Sequence, residues 1–131
     1  MIVLDTNVIS ALLWGDVSSR LVVEVASRPV IHTTAVNLAE ILYGLERRGS
    51  AALWARYTEA IFPLLSVLPF DAAAAAEYGK LRACLAGLGT PIEEADLMIA
   101  SIALAHEAVL VTGNTRHFSR VPGLRLENWL E

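Results

Sequence analysis

The sequence predicts an α/β fold in which a parallel sheet is covered by helices on both faces. Three observations carry this. The runs Ile2-Val3-Leu4 and Val109-Leu110-Val111 are wholly apolar and rich in β-branched residues, the pattern of strands buried on both faces. Further short runs alternate with segments of helical spacing, as in right-handed βαβ units. The first run stops abruptly at Asp5, so a carboxylate stands at the carboxyl end of a buried strand, where open α/β sheets place their ligands.

In chain order, Thr6 and Asn7 are cap residues for a helix over Val8–Trp14 that stops near Gly15. Ser18 or Ser19 caps a second helix with Leu21, Val22, Val25 and Ala26 on one face, and Pro29 ends it. Val30-Ile31-His32 reads as the second strand. Thr33-Thr34 caps a third helix that runs to about Gly49. Ala52–Phe62 is a fourth helix stopped by Pro63, and Leu65–Leu68 is the third strand, closed by Pro69. Asp71 caps an Ala-rich helix from Ala72 to about Leu85, broken by Gly87, Gly89 and Pro91. Glu93–His106 is a further helix, Val109–Val111 the fourth strand, and Thr112-Gly113-Asn114-Thr115 a polar turn. Pro122-Gly123 turns the chain into a last strand at Leu124–Leu126.

Length and composition narrow the class. At 131 residues the chain is expected to form one domain, residues 1–131, and 55% hydrophobic with 18% charged residues is enough for a full core. A net charge of −4 argues against broad non-specific binding to nucleic acid, though not against a nuclease, whose site needs acids of its own. No stretch of about 18 apolar residues and no basic-then-apolar leader is present, so a soluble cytoplasmic protein is expected. Cys84, the one cysteine, lies in an Ala/Leu-rich helical pattern and reads as a core thiol. His32, His106 and His117 fall in separate segments without metal-ligand spacing, which argues against zinc. His32 reads as a satisfied structural residue and His117 as exposed. The phosphate loops GxGxxG and GxxxxGK[ST] and the GxSxG elbow are absent.

The chemistry rests with acids. Asp5 follows the first strand, Glu40 lies about two turns into the third helix among Leu38, Ala39, Ile41 and Leu42, and Asp96 is flanked by Ala95, Leu97, Met98 and Ile99. Asn114 follows the fourth strand as Asp5 follows the first. If those strands are neighbours at the switch point, the two turns face one cleft. Read individually, Glu40 is a helix-surface acid and Asp96 a first-turn acid favoured by the helix dipole, as Glu93 and Glu94 are. Together the three repel one another, a conflict that a hard divalent cation removes. Oxygen ligands without Cys or His suit Mg²⁺ or Mn²⁺, the equipment of phosphodiester hydrolysis. On this reading Asp5→Asn or Asp96→Asn is expected to leave the metal-free fold as stable as before, or slightly more so.

Four blocks, LDTNVIS at the start, TTAVNLAEILYG from Thr33, GTPIEEADLMIASIA from Gly89 and VLVTGNTRHF from Val109, together resemble the PIN-domain family, specifically VapC-type toxins of type II toxin–antitoxin pairs. The closing VPGLRLENW resembles the VapC group that includes enterobacterial toxins cutting initiator tRNA. The resemblance implies a PIN-like α/β/α sandwich with strand order 3-2-1-4-5. It places metal-binding acids at Asp5, Glu40 and Asp96, and an Asn at 114 where relatives often carry a fourth acid. It implies supporting hydroxyls at Thr6 and Thr112. It further implies an Mg²⁺-dependent endoribonuclease that halts translation, a VapB-type antitoxin, and a homodimer. Arg116, close to Asn114, is a candidate RNA contact. The competing readings are a structure-specific DNA nuclease and a catalytically dead PIN-like binding module.

Overall fold

The computed structural model describes residues 1–15, 18–89 and 92–130. Five parallel strands, β1 (Ile2–Leu4), β2 (Ile31–Thr34), β3 (Leu65–Leu68), β4 (Val109–Val111) and β5 (Arg125–Glu127), form one sheet in the order β3-β2-β1-β4-β5. The helices are α1 (Thr6–Trp14), α2 (Ser19–Ala26), α3 (Ala35–Arg48), α4 (Ala51–Arg56), α5 (Ala72–Leu88), α6 (Glu94–Ala105) and the single turn α7 (Thr115–Phe118).

Strand alternation sorts the core into two layers. Val3 and Leu110 point to one face, where they pack with Leu81 and Leu85 of α5, Leu97, Ile99 and Ile102 of α6, and Phe118 of α7. Leu4 and Val111 point to the other, where they meet Val8, Ile9 and Leu13 of α1, Leu21 of α2, Ile41 and Leu45 of α3, and the buried Trp129. Apolar side chains are thus needed at consecutive positions, which is why β1 and β4 read as continuous apolar runs. Among the described residues no helix is long and apolar enough to cross a membrane.

Several boundaries differ from the sequence reading, each for a local reason. Asp5, not Thr6 or Asn7, caps α1, by accepting the Thr6 N–H. The second strand runs on to Thr34, because Thr33 and Thr34 are fully buried and pair with Val67 and Leu68. The helix expected over Ala52–Phe62 stays α-helical only to Arg56. It then widens into a π turn over Tyr57–Ile61 and tightens to 3₁₀ at Phe62–Leu64. A proline ring at 63 would collide with the carbonyl four residues back in a regular helix, and the widened turn relieves this. α5 continues through Gly87 and ends at Gly89, which takes the left-handed conformation at φ 67°. The last strand is shifted by one residue, to Arg125–Glu127. Pro91, expected as a helix break, lies outside the described residues. Cys84 is exposed rather than a core thiol, because α5 turns that position to solvent.

The C-terminal segment closes the α1–α4 face. Trp129 is 1% exposed, its indole N–H donates to Glu127 at 3.0 Å, the Arg28 guanidinium stacks 5.2 Å from its ring centre, and Ser18 donates to its carbonyl. Trp129→Ala is expected to cost about 3–5 kcal/mol, read as a lower denaturant midpoint in urea. A change below about 1 kcal/mol would mean that the segment is not part of the core.

Candidate active site

The sheet order reverses between β1 and β4, so their carboxyl ends open at the switch point. The Asp5 N–H donates to the Val111 carbonyl at 2.9 Å, which sets Asp5 beside Thr112. The Asp5 carboxylate, 8% exposed, is gripped by three donors. Oδ1 accepts from the Thr6 N–H and from Asn37 Nδ2, both at 2.8 Å, and Oδ2 accepts from Thr112 Oγ1 at 2.7 Å. These donors come from α1, α3 and the end of β4. Two carboxylate oxygens have about four acceptor positions, so the grip leaves a lone pair for a further ligand.

Asn37 is the hub that sequence reading missed. It is fully buried, accepts from Thr34 Oγ1 at 2.7 Å, and donates to both Asp5 and Thr6 Oγ1, the latter at 3.0 Å. Thr6 in turn donates to Glu40 Oε1 at 3.1 Å. The sequence signal was an amide in the first turn of an otherwise apolar helical segment, three residues before Glu40. A buried amide of that kind needs partners.

Asp96 is half-buried in the first turn of α6, and His117 of α7 places Nε2 2.9 Å from its Oδ2. This is ion-pair range, without the directionality of a hydrogen bond. His117 is therefore not the exposed residue expected, because α7 turns it inward. His32 is likewise corrected: among the described residues its buried Nδ1 has no hydrogen-bond partner.

Electrostatics tie the acids together. Burial raises the Glu40 carboxyl above its ordinary 4.5. The Thr6 hydrogen bond opposes this, and the charges of Asp5, Asp96 and Glu93 add to the rise. Burial also raises Asp96 above 3.8, opposed by His117 and reinforced by Asp5 and Glu93. Glu93, read from sequence only as a first-turn acid, thus bears on the site from just before α6. Asn114 is exposed at the start of α7, its N–H donating to Thr112 Oγ1 at 2.9 Å, and Arg116 is exposed on the same turn. Among the described residues, no three Asp, Glu, His or Cys side chains close into a ready-made metal cage. The oxygen donors of Asp5, Glu40 and Asp96 nonetheless suit a hard cation, and burial together with neighbouring negative charge raises the Glu40 and Asp96 carboxyls.

A PIN-domain family model matches residues 2–124. The chain is 41% identical over 96 residues, 73% of each protein, to the tRNA(fMet)-specific endonuclease VapC of Shigella flexneri. It is 36% identical over 104 residues to ribonuclease VapC2 of Rickettsia felis, covering 79% of this chain and 78% of that protein. The crystal structure of VapBC2 from Rickettsia felis, bound to a DNA fragment from its promoter, superposes with a TM-score of 0.83 at 32% identity, covering 98% of this chain and 99% of that one. The chain belongs to the PIN-domain family, within its VapC group. Nucleases of this group are generally metal-dependent.

The grip on Asp5 changes the expected effect of neutralising it. Asp5→Asn turns an NH₂ toward a donor and replaces charge-assisted hydrogen bonds by neutral ones. It is expected to destabilise the metal-free fold by about 1–2 kcal/mol, where repulsion alone predicts equal or slightly higher stability. Urea titrations decide, and an unchanged midpoint would refute the grip.

A carboxyl whose pKa rises on folding holds its proton longer in the folded state. The folded state therefore loses stability as pH climbs from the ordinary value through the raised one. Glu40→Gln keeps an acceptor for Thr6 and removes the titration. Metal-free melts from about pH 3.5 to about pH 7 should show the parent falling relative to Glu40→Gln as pH rises. Parallel curves would contradict the raised Glu40 carboxyl.

Proposed function

We propose that the protein is an Mg²⁺- or Mn²⁺-dependent endoribonuclease, the toxin of a type II toxin–antitoxin pair, which acts on RNA in the cytoplasm to inhibit translation. The observation that carries this reading is the junction of three carboxylates at the sheet switch point, with Asp5 fixed by three donors while Glu40 and Asp96 resist ionisation. Membership of the VapC group and the names of its relatives support it.

The residues divide the work. Asp5, Glu40 and Asp96 hold the cation, which supplies Lewis-acid activation of water and neutralises charge on the phosphate. Thr6 and Thr112 aim two of those carboxylates. Asn114 stands on the turn beside Asp5, where its amide oxygen orients water or substrate, and Arg116 meets a phosphate next to the one that is cut. A VapB-type antitoxin silences the site with a basic segment laid against the acids, and the toxin works as a homodimer. VapBC complexes among the structural neighbours support the partner.

The purified protein should cleave total RNA with Mg²⁺, lose the activity in EDTA and regain it with Mg²⁺ or Mn²⁺. Asp96→Asn should reduce cleavage at least about a thousandfold while the fold is kept. Undiminished cleavage in EDTA sinks the metal reading, and cleavage of DNA in preference to RNA assigns the site to a DNA nuclease.

A further inference from the structure

Two rows of side chains run away from the acids in parallel. On α1 they are Thr6, Ser10 and Trp14, and on α3 they are Glu40, Gly44 and Arg48, each spaced four residues apart on one helical face. Between them lies a pocket of about 200 Å³ floored by Ile41, Leu45, Leu53 and Tyr57. Eight residues of helix span about 12 Å, so the trough has Glu40 and Thr6 at one end and Trp14 and Arg48 at the other.

The far end is built for a flat ligand carrying negative charge. Trp14 is 53% exposed, a large aromatic left out of the core in the last turn of α1. The Arg56 guanidinium lies 4.8 Å from its ring centre, is fixed by a 2.6 Å hydrogen bond to the Leu13 carbonyl, and does not itself line the trough. The indole is thereby backed by a cation, and Trp14 itself lines the trough. A Cβ added at Gly44 meets nothing within 4 Å, so the wall is open midway along.

We propose that this trough is the subsite for an unpaired nucleotide adjoining the scissile phosphate, with its base stacked on Trp14 and its phosphate met by Arg48. The inference rests on the ribonuclease reading and adds to it the side chains that hold one unpaired nucleotide, Trp14 and Arg48. Aromatic stacking tolerates any base but requires that the base be splayed out of a helix. Arginines at the far end suit a phosphate chain and oppose a basic peptide, which would favour the acid end alone.

The test uses a 2′-O-methyl RNA oligonucleotide, which cannot be cut through a 2′-hydroxyl route and binds in EDTA, followed by tryptophan fluorescence and anisotropy, beside cleavage kinetics of the unmodified RNA in Mg²⁺. Trp14→Ala should weaken binding and raise KM by about 5- to 100-fold, leaving kcat at saturation unchanged. Trp14→Phe should stay within about threefold of the parent. Gly44→Leu fills the trough from its open wall and should weaken binding comparably. Arg48→Ala should weaken it and reduce the salt dependence by about one phosphate contact. The same target sequence placed in a hairpin stem should be cut far more slowly than in a loop.

If Trp14→Ala and Gly44→Leu bind and cut like the parent, the subsite is wrong even though the ribonuclease stands. Equal cutting in stem and loop also overturns it. If the two variants lose affinity only for a basic antitoxin peptide, the trough belongs to the antitoxin and the proposal fails. A parent that binds the oligonucleotide through Trp14 yet cuts no RNA refutes the ribonuclease reading, and with it the placing of this nucleotide beside a scissile phosphate, while the contact with Trp14 stands.

Discussion

The hydrogen bonds converging on the Asp5 carboxylate are the constraint on which the site depends. A carboxylate at the end of a buried strand is costly unless its lone pairs are satisfied, and here three separate parts of the chain satisfy them: the first turn of α1, Asn37 of α3 and Thr112 beyond β4. The same contacts lock α1, α3 and the β4 turn against one another. Asp5 is both a helix cap and the centre of the acid cluster, and the two roles need each other. A cap alone would need one donor, and the three present hold the carboxylate in one orientation.

Those donors are all neutral. Thr6, Asn37 and Thr112 aim carboxylates without cancelling their charge, whereas a lysine in their place would neutralise it. Around Asp96, His117 supplies the one opposing influence from a titratable side chain, and burial outweighs it. The result is a cleft whose negative potential is kept at the cost of repulsion among Asp5, Glu40, Asp96 and Glu93. Local strain of this kind is how a rigid scaffold keeps affinity in reserve for a cation or a basic segment.

The sheet and its order were legible because burial on both faces forces β1 and β4 into unbroken apolar runs, while the resemblance supplied the order. Asp5, Glu40 and Asp96 stand out as charges in apolar surroundings, a contrast visible in the sequence itself. Asn37 did not, since an uncharged amide in a helix gives no such contrast and its role exists only through Thr34, Thr6 and Asp5. His117 was misread because a histidine beside a turn has no periodicity to say which way it points. The π turn at Tyr57–Ile61 depends on how the chain absorbs Pro63, and a stop signal alone does not disclose that.

The reach of the Asp5–Thr112 hydrogen bond, 107 residues along the chain, has a bearing on how the molecule comes into being. Thr112, which seats the second oxygen of Asp5, is synthesised 107 residues after it, just beyond β4. Until then β1 lacks one of its two neighbours and the acid lacks a donor that holds it still. Contacts this distant in sequence form late, because closing the loop costs entropy before any contact compensates for it. The acidic cleft is therefore unfinished until β4 has been made and paired with β1, and its assembly coincides with closure of the sheet.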